Sequence, residues 1–295
     1  MSRRLIAFCA SLTLVGSAAA VALWMPAAPA EVETMPAELP VPPFPPRITE
    51  GSTYETCLAT LAADPLSAVA MAEIWQADGG GDGALHCRGL ALIAMGNAME
   101  GARVLEQLAK HSSAPAMARA TVLGQAVQAR LMVAQGDITR ADMTRADMTR
   151  ADVTQAEMAV ADASLALTLS STDTELLILR ATAQGMRGRF NEAVDDLDAA
   201  LRLDAGQPDA LVLRAAMRRK LDQLDLAQAD VAQALTLDPD DPDALLERGI
   251  LRQRMGDAAG ARADWEHARG ADPNSTTADL AEQNLSLLEA GPQRQ

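Results

Sequence analysis

The chain has 295 residues, 49% of them apolar and only 2% aromatic, with a formal charge of −15 and a pI near 4.6. That length and apolar content suffice for a sizeable core, and abundant alanine and leucine with few aromatic residues favour close helix packing over strands, so the expected class is all-α. The negative charge argues against nucleic acid as a partner, because phosphate binding rests on clustered lysine and arginine.

In chain order, Arg3 and Arg4 precede a mostly apolar run from Leu5 to Trp24, and small residues and prolines follow. Residues 1–30 therefore read as a signal peptide, with Ala-x-Ala sites at Ala18 to Ala20 and Ala28 to Ala30. The second site removes the whole run. The run is also long enough to span a bilayer, so an uncleaved N-terminal anchor stays open. Both alternatives export the remainder, to the periplasm or to the periplasmic side of the inner membrane. Cys9 follows Phe8 where a lipid-attachment motif needs a small residue. Residues 31–52 hold Pro36, Pro40, Pro42, Pro43, Pro45 and Pro46, the composition of an extended linker.

Cleavage leaves two cysteines, Cys57 and Cys87. Outside the cytoplasm an even pair points to a disulfide, which would close a loop of about 30 residues and contribute about 3 kcal/mol through the unfolded state. Two buried free thiols are the alternative. Cys57 lies in an apolar helix expected around Tyr54 to Ala62. Cys87 lies in the first helix of a helical pair expected from Asp82 to Ser113, whose second helix Gly101 weakens. This N-terminal helical region spans 53–135.

From Gly136 to Val160 the chain advances in pentads, among them Ala-Asp-Met-Thr-Arg twice and Ala-Asp-Val-Thr-Gln. The tract resembles pentapeptide repeats, which build a β-helix with four pentads per coil. Barely more than one coil would form here, without a neighbour to cover its edges. A helical, solvent-exposed extension over 136–171 is the expected structure; a five-residue step turns each methionine by about 140° and leaves no fixed apolar face.

Residues 174–275 repeat three times without gaps at an offset of 34. Units starting at Thr174, Pro208 and Pro242 share Leu177, Leu211 and Leu245 at the fourth place and Arg180, Arg214 and Arg248 at the seventh. Ala181, Ala215 and Gly249 follow at the eighth place. Gly188, Asp222 and Gly256 mark the turn within each unit. The second helix carries Ala193, Ala227 and Ala261, then Leu197, Val231 and Trp265, then Ala200, Ala234 and Ala268. Small residues let two helices approach while the larger ones fill the gap. Pro208 and Pro242 suit first helical turns, and Pro239 and Pro273 end the second helices. Leu85, Arg88, Gly89 and Gly96 fit the same places upstream. Leu280, Leu285, Leu287 and Leu288 mark a capping helix within the closing segment 276–295.

This 34-residue pattern resembles the tetratricopeptide repeat family, except that Gln184, Arg218 and Arg252 occupy the eleventh place, normally aromatic. The resemblance implies a right-handed superhelical solenoid of helix hairpins that binds a protein or peptide segment along its inner face. Carried over by place in the repeat, the groove residues are Glu175, Thr182, Asp209, Val212, Arg219, Lys220, Asp243, Leu246, Ile250, Gln253 and Arg254. Acids lie at helix starts and cations near helix ends, as helix dipoles also favour.

Each seventh-place arginine has an aspartate on the second helix of its unit, which predicts the structural ion pairs Arg180–Asp196, Arg214–Asp230 and Arg248–Asp264. No nucleophile elbow, phosphate loop or zinc spacing is present, and His86, His111 and His267 are scattered. No catalytic residue, metal site or cofactor is expected. The function read from the sequence is therefore a non-enzymatic protein-interaction adaptor of the periplasm or cell envelope, such as an assembly helper. The alternatives are a self-assembling scaffold, and an enzyme or glycan-handling protein using the acidic groove and the Gly79 to Gly81 region.

Overall fold

The computed structural model describes residues 47–140 and 150–290. The apolar run, both cleavage sites, most of the proline-rich linker, residues 141–149 of the pentad tract and the last five residues lie outside the described residues.

The described residues form helices only: α1 (Ser52–Ala63), α2 (Pro65–Ala77), α3 (Gly81–Ala94), α4 (Ala98–His111), α5 (Ala116–Arg140), α6 (Arg150–Leu169) and α7 (Thr174–Met186), followed by α8 (Phe190–Leu203), α9 (Pro208–Lys220), α10 (Leu224–Leu237), α11 (Pro242–Arg254), α12 (Ala258–Ala271) and α13 (Thr276–Ala290). Each helix packs on the next in sequence. The odd-numbered helices from α5 to α13 also pack on one another, so they form a continuous inner wall while the even-numbered helices stand on the outside.

The small residues of the repeat explain this stacking. Ala181, Ala215, Ala193, Ala227, Ala261, Ala200, Ala234 and Ala268 are all fully buried, as are Leu197, Val231 and Trp265. Side-chain size is exchanged across each hairpin: Ala181 accompanies Leu197 and Ala215 accompanies Val231, whereas Gly249 faces Trp265. A Cβ on Gly249 would come within 2.3 Å of the indole nitrogen, which donates to the Leu246 carbonyl at 3.2 Å. Close packing thus survives the change from leucine to tryptophan.

Helix ends follow the sequence. Pro65, Pro208 and Pro242 stand in first helical turns, where the missing N–H has no intrahelical partner to lose. Asp173 caps α7 by accepting from the Leu176 N–H. Gly188, Asp222 and Gly256 close the hairpins with φ of 73°, 62° and 88°, and Asp222 is the one described non-glycine residue in that region.

Upstream, α4 is an uninterrupted helix, and Gly101 has a packing role rather than a weakening one. A Cβ there would lie 2.6 Å from the Gly89 carbonyl oxygen, so the two glycines let α3 and α4 touch through their backbones. Cys57 on α1 and Cys87 on α3 are joined in a disulfide with Cα atoms 6.2 Å apart, both fully buried. Reduction is expected to destabilise the α1 to α3 end by about 3 kcal/mol. Comparing hydrogen exchange with and without reductant checks this, and uniform loss of protection along the chain would contradict the local assignment.

The pentads divide between two helices. Gly136 to Arg140 continue α5, and the chain from Arg150 onward belongs to α6. The last pentads are not solvent-exposed throughout: Gln155, Ala156 and Ala159 are buried, and Ala159 and Ala163 pack with Val127 and Leu131 of α5. Alanines recurring at helical spacing supply the buried face that the methionine period lacks.

Candidate protein-binding groove

The inner wall takes its side chains from equivalent places on α7, α9 and α11. At the second place Glu175, Asp209 and Asp243 are exposed at the helix starts. Val212 and Leu246 at the fifth place, and Thr182 and Ile250 at the ninth, are half-buried along the middle. Lys220, Gln253 and Arg254 are exposed near the helix ends, and Arg219 is half-buried there.

Arg219 and Arg254, two of the groove residues expected from the repeat, are both engaged within the stack. Arg219 holds the buried Glu247 of the next inner helix with two bonds, at 2.5 and 3.1 Å. Burial pushes the Glu247 carboxyl up, and Arg219 opposes the shift. Arg254 donates to Asp222 at 2.8 Å and to the Arg219 carbonyl at 2.9 Å. Both arginines therefore fasten successive hairpins together. Glu247 gave no signal in the repeat, because its counterparts Leu179 and Leu213 are apolar.

Behind the wall, the three expected Arg–Asp pairs form within their hairpins: Arg180 to Asp196 at 2.7 and 2.5 Å, Arg214 to Asp230 at 3.1 and 2.6 Å, and Arg248 to Asp264 at 3.0 and 2.7 Å. The bond from Asp196 raises the Arg180 pKa further. The departure at the eleventh place belongs to the same device. Arg218 and Arg252 each donate a further bond at 2.7 Å to Asp230 and Asp264, so these two carboxylates are held by paired arginines. Arg214 also reaches Asp198 at 2.7 Å. The planar guanidinium meets a carboxylate edge with two parallel donors, which fixes helix register as well as charge.

Two buried polar centres were missed. Arg130 on α5 donates to Asp162 of α6 at 2.8 Å, to Gln155 at 3.2 Å, and to Glu106 of α4. Asp162 sits one repeat length before Asp196, so the acid was visible in the 34-residue ladder, but the arginine place of that unit is occupied by Ala146. The second centre is His86 on α3. Its Nδ1 accepts from the Tyr54 hydroxyl at 2.6 Å while its Nε2–H donates to Gln125 at 2.7 Å, linking α1, α3 and α5. Burial lowers the His86 pKa and pushes Tyr54 up to about 12.

Because the folded-state pKa of His86 lies below its unfolded value, its contribution is complete above about pH 6.5 and fades as pH falls toward the folded value. From pH 7 to 5.5 the parent is expected to lose melting temperature relative to His86→Gln, which lacks this titration. An unchanged slope would remove His86 from the account.

A cavity of about 570 Å³ opens between α5 and the start of α7, with Met117, Gln125, Gln128, Asp173, Glu175 and Leu176 among its lining. Gly79 and Gly80 lie in the turn between α2 and α3, Gly81 begins α3, and Gly80 lies against the Trp75 ring. Among the described residues no group of three or more His, Cys, Asp or Glu side chains is placed to hold a metal ion, and no helix is long and apolar enough to cross a membrane.

No family model and no curated protein matches the chain. Solved structures do. MamA from residue 41 to its end, of Desulfovibrio magneticus RS-1, superposes with a TM-score of 0.51 at 13% identity over 65% of this chain and 98% of that one. The MamA RS-1 ArsTM double mutant gives 0.50 at 13% identity over 65% and 97%. TTC0263, a thermophilic TPR protein of Thermus thermophilus, gives 0.49 at 17% identity over 68% and 95%. Likeness at such identity concerns the fold, and together with the 34-residue ladder and the packed inner helices it makes the described part of this chain a tetratricopeptide-type superhelical repeat.

Proposed function

We propose that the chain is a non-enzymatic adaptor of the bacterial periplasm or cell envelope, whose inner wall holds a segment of another protein. The observation that carries this reading is the wall itself. Five inner helices pack in succession, and the exposed and half-buried side chains of the middle three, α7, α9 and α11, offer a surface with an apolar middle and charged margins. The export signal or anchor supplies the compartment, and the proline-rich stretch sets the distance from the membrane. Assembly of envelope complexes is a role such an adaptor would serve.

The test places a photo-cross-linking residue at Lys220 or Gln253 on the inner wall, and at Gln228 or Ala232 on the exposed outer face of α10, in the native cells. A shared partner captured from the inner positions and absent from the outer ones supports the adaptor. Cross-links to further copies of this chain alone would replace it with a self-assembling scaffold. A fusion of residues 1–52 to alkaline phosphatase, active only when exported, tests the compartment.

A further inference from the structure

Charge on the inner wall is distributed differently from what the residue types imply. On the margin near the helix ends, Arg219 is neutralised by Glu247 and Arg254 by Asp222, so Lys220 is the one cation of that margin without an ion pair among the described residues. On the opposite margin the carboxylates have no cationic partner. Asp209 makes no hydrogen bond or ion pair among the described residues, Glu175 accepts from the neutral Gln128 at 2.7 Å, and Asp243 accepts from the Thr277 hydroxyl. Helix dipoles favour acids at helix starts, but they do not account for cations tied up on one margin while the acids on the other are left open.

The open acids have an apolar floor beside them and a cavity at their head. Ile178, Val212 and Leu246 lie half-buried one helical turn from Glu175, Asp209 and Asp243. Glu175 also lines the cavity between α5 and α7 together with Asp173, over Met117 and Leu176, and no lysine or arginine lines it.

Resting on the reading of this wall as a protein-binding groove, we infer that its occupant is a positively charged segment, with apolar residues between its lysines or arginines. The cationic side chains meet Glu175, Asp209 and Asp243, the first of them reaching into the cavity, and the apolar residues lie on Ile178, Val212 and Leu246. Packed helices stand about 8–10 Å apart and an extended chain advances about 3.3 Å per residue. A cation at about every third residue therefore matches the row. Opposite charges in this geometry set orientation and speed the association, which tightens binding, and salt weakens them.

The experiment selects a displayed library of random twelve-residue peptides on the full chain. Enriched peptides are expected to carry lysine or arginine at about every third position. Their affinity should fall more than tenfold at higher salt and more than tenfold for the combined Glu175→Gln, Asp209→Asn, Asp243→Asn protein, whose helical circular dichroism should match the parent's and whose melting temperature should fall only by the helix-dipole share of the three exposed acids. Cationic peptides that bind this variant as well as the parent overturn the inference. Enrichment of acidic or uncharged peptides overturns it too; if their binding is lost in Leu246→Asp, the groove stands and only its charge preference falls. Absence of any enriched peptide overturns both the preference and the groove.

Discussion

Arg130→Ala is expected to lower stability by about 3–5 kcal/mol, a drop in melting temperature on the order of 10 °C. Arg130 is only 2% exposed, and its side chain joins α4, α5 and α6 through Glu106, Asp162 and Gln155. Truncation leaves Asp162 buried without its cation. Burial already raises the Asp162 pKa, with Arg130 opposing. The folded-state value thus lies above the unfolded one, so this group's contribution improves as pH falls and worsens as pH rises through that interval. Removing Arg130 widens the interval, and the deficit of the variant should narrow between pH 7 and pH 5. The combined Arg130→Met, Asp162→Leu, Glu106→Gln chain should recover most of the loss, since replacing all partners strands no charge. A small deficit with no pH dependence would show that Arg130 acts through its packing alone.

The three Asp positions of the C-terminal hairpins should differ in a fixed order. Asp230→Ala removes the buried carboxylate shared by Arg214 and Arg218, each 14% exposed, and leaves both to the more exposed Asp198 alone, so it is expected to cost about 3 kcal/mol. Asp264→Ala strands Arg248 and Arg252, but these are 34% and 33% exposed and water screens them, so its effect should be smaller. Asp196→Ala strands only Arg180 and should also fall below Asp230→Ala. Denaturant melts of the three variants settle the order. Equal losses would mean that the number and burial of stranded arginines do not govern the effect.

Most of the C-terminal fold was legible because the repeat writes its packing into residue size. An alanine, a glycine and a leucine at fixed places announce a hairpin, and Arg180, Arg214 and Arg248 stood at a constant 16 residues from their partners. Arg130 was not legible because it lies 32 residues from Asp162, outside that spacing. His86 was hidden for a related reason: its partners Tyr54 and Gln125 are 32 and 39 residues away, and neither belongs to a recognisable motif. Gly101 misled, since helix propensity describes an isolated helix, and the close approach to Gly89 appears only once α3 and α4 pack. On the inner wall, residue types were readable but their neutralisation was not. The partner of Arg219 is Glu247, which stands at a place that is apolar in the other units and so leaves no trace in the repeat.

The position of the pentad tract has an evolutionary consequence. Both its ends belong to helices already fastened to each other by Arg130, Asp162 and the Val127 to Ala163 cluster, and the stack from α7 onward takes its register from those contacts. The two identical Ala-Asp-Met-Thr-Arg units between Arg140 and Arg150 stand outside those contacts. A gene variant that loses or gains one whole unit keeps its reading frame and every residue that fastens α5 to α6, so the groove downstream is expected to inherit the same geometry.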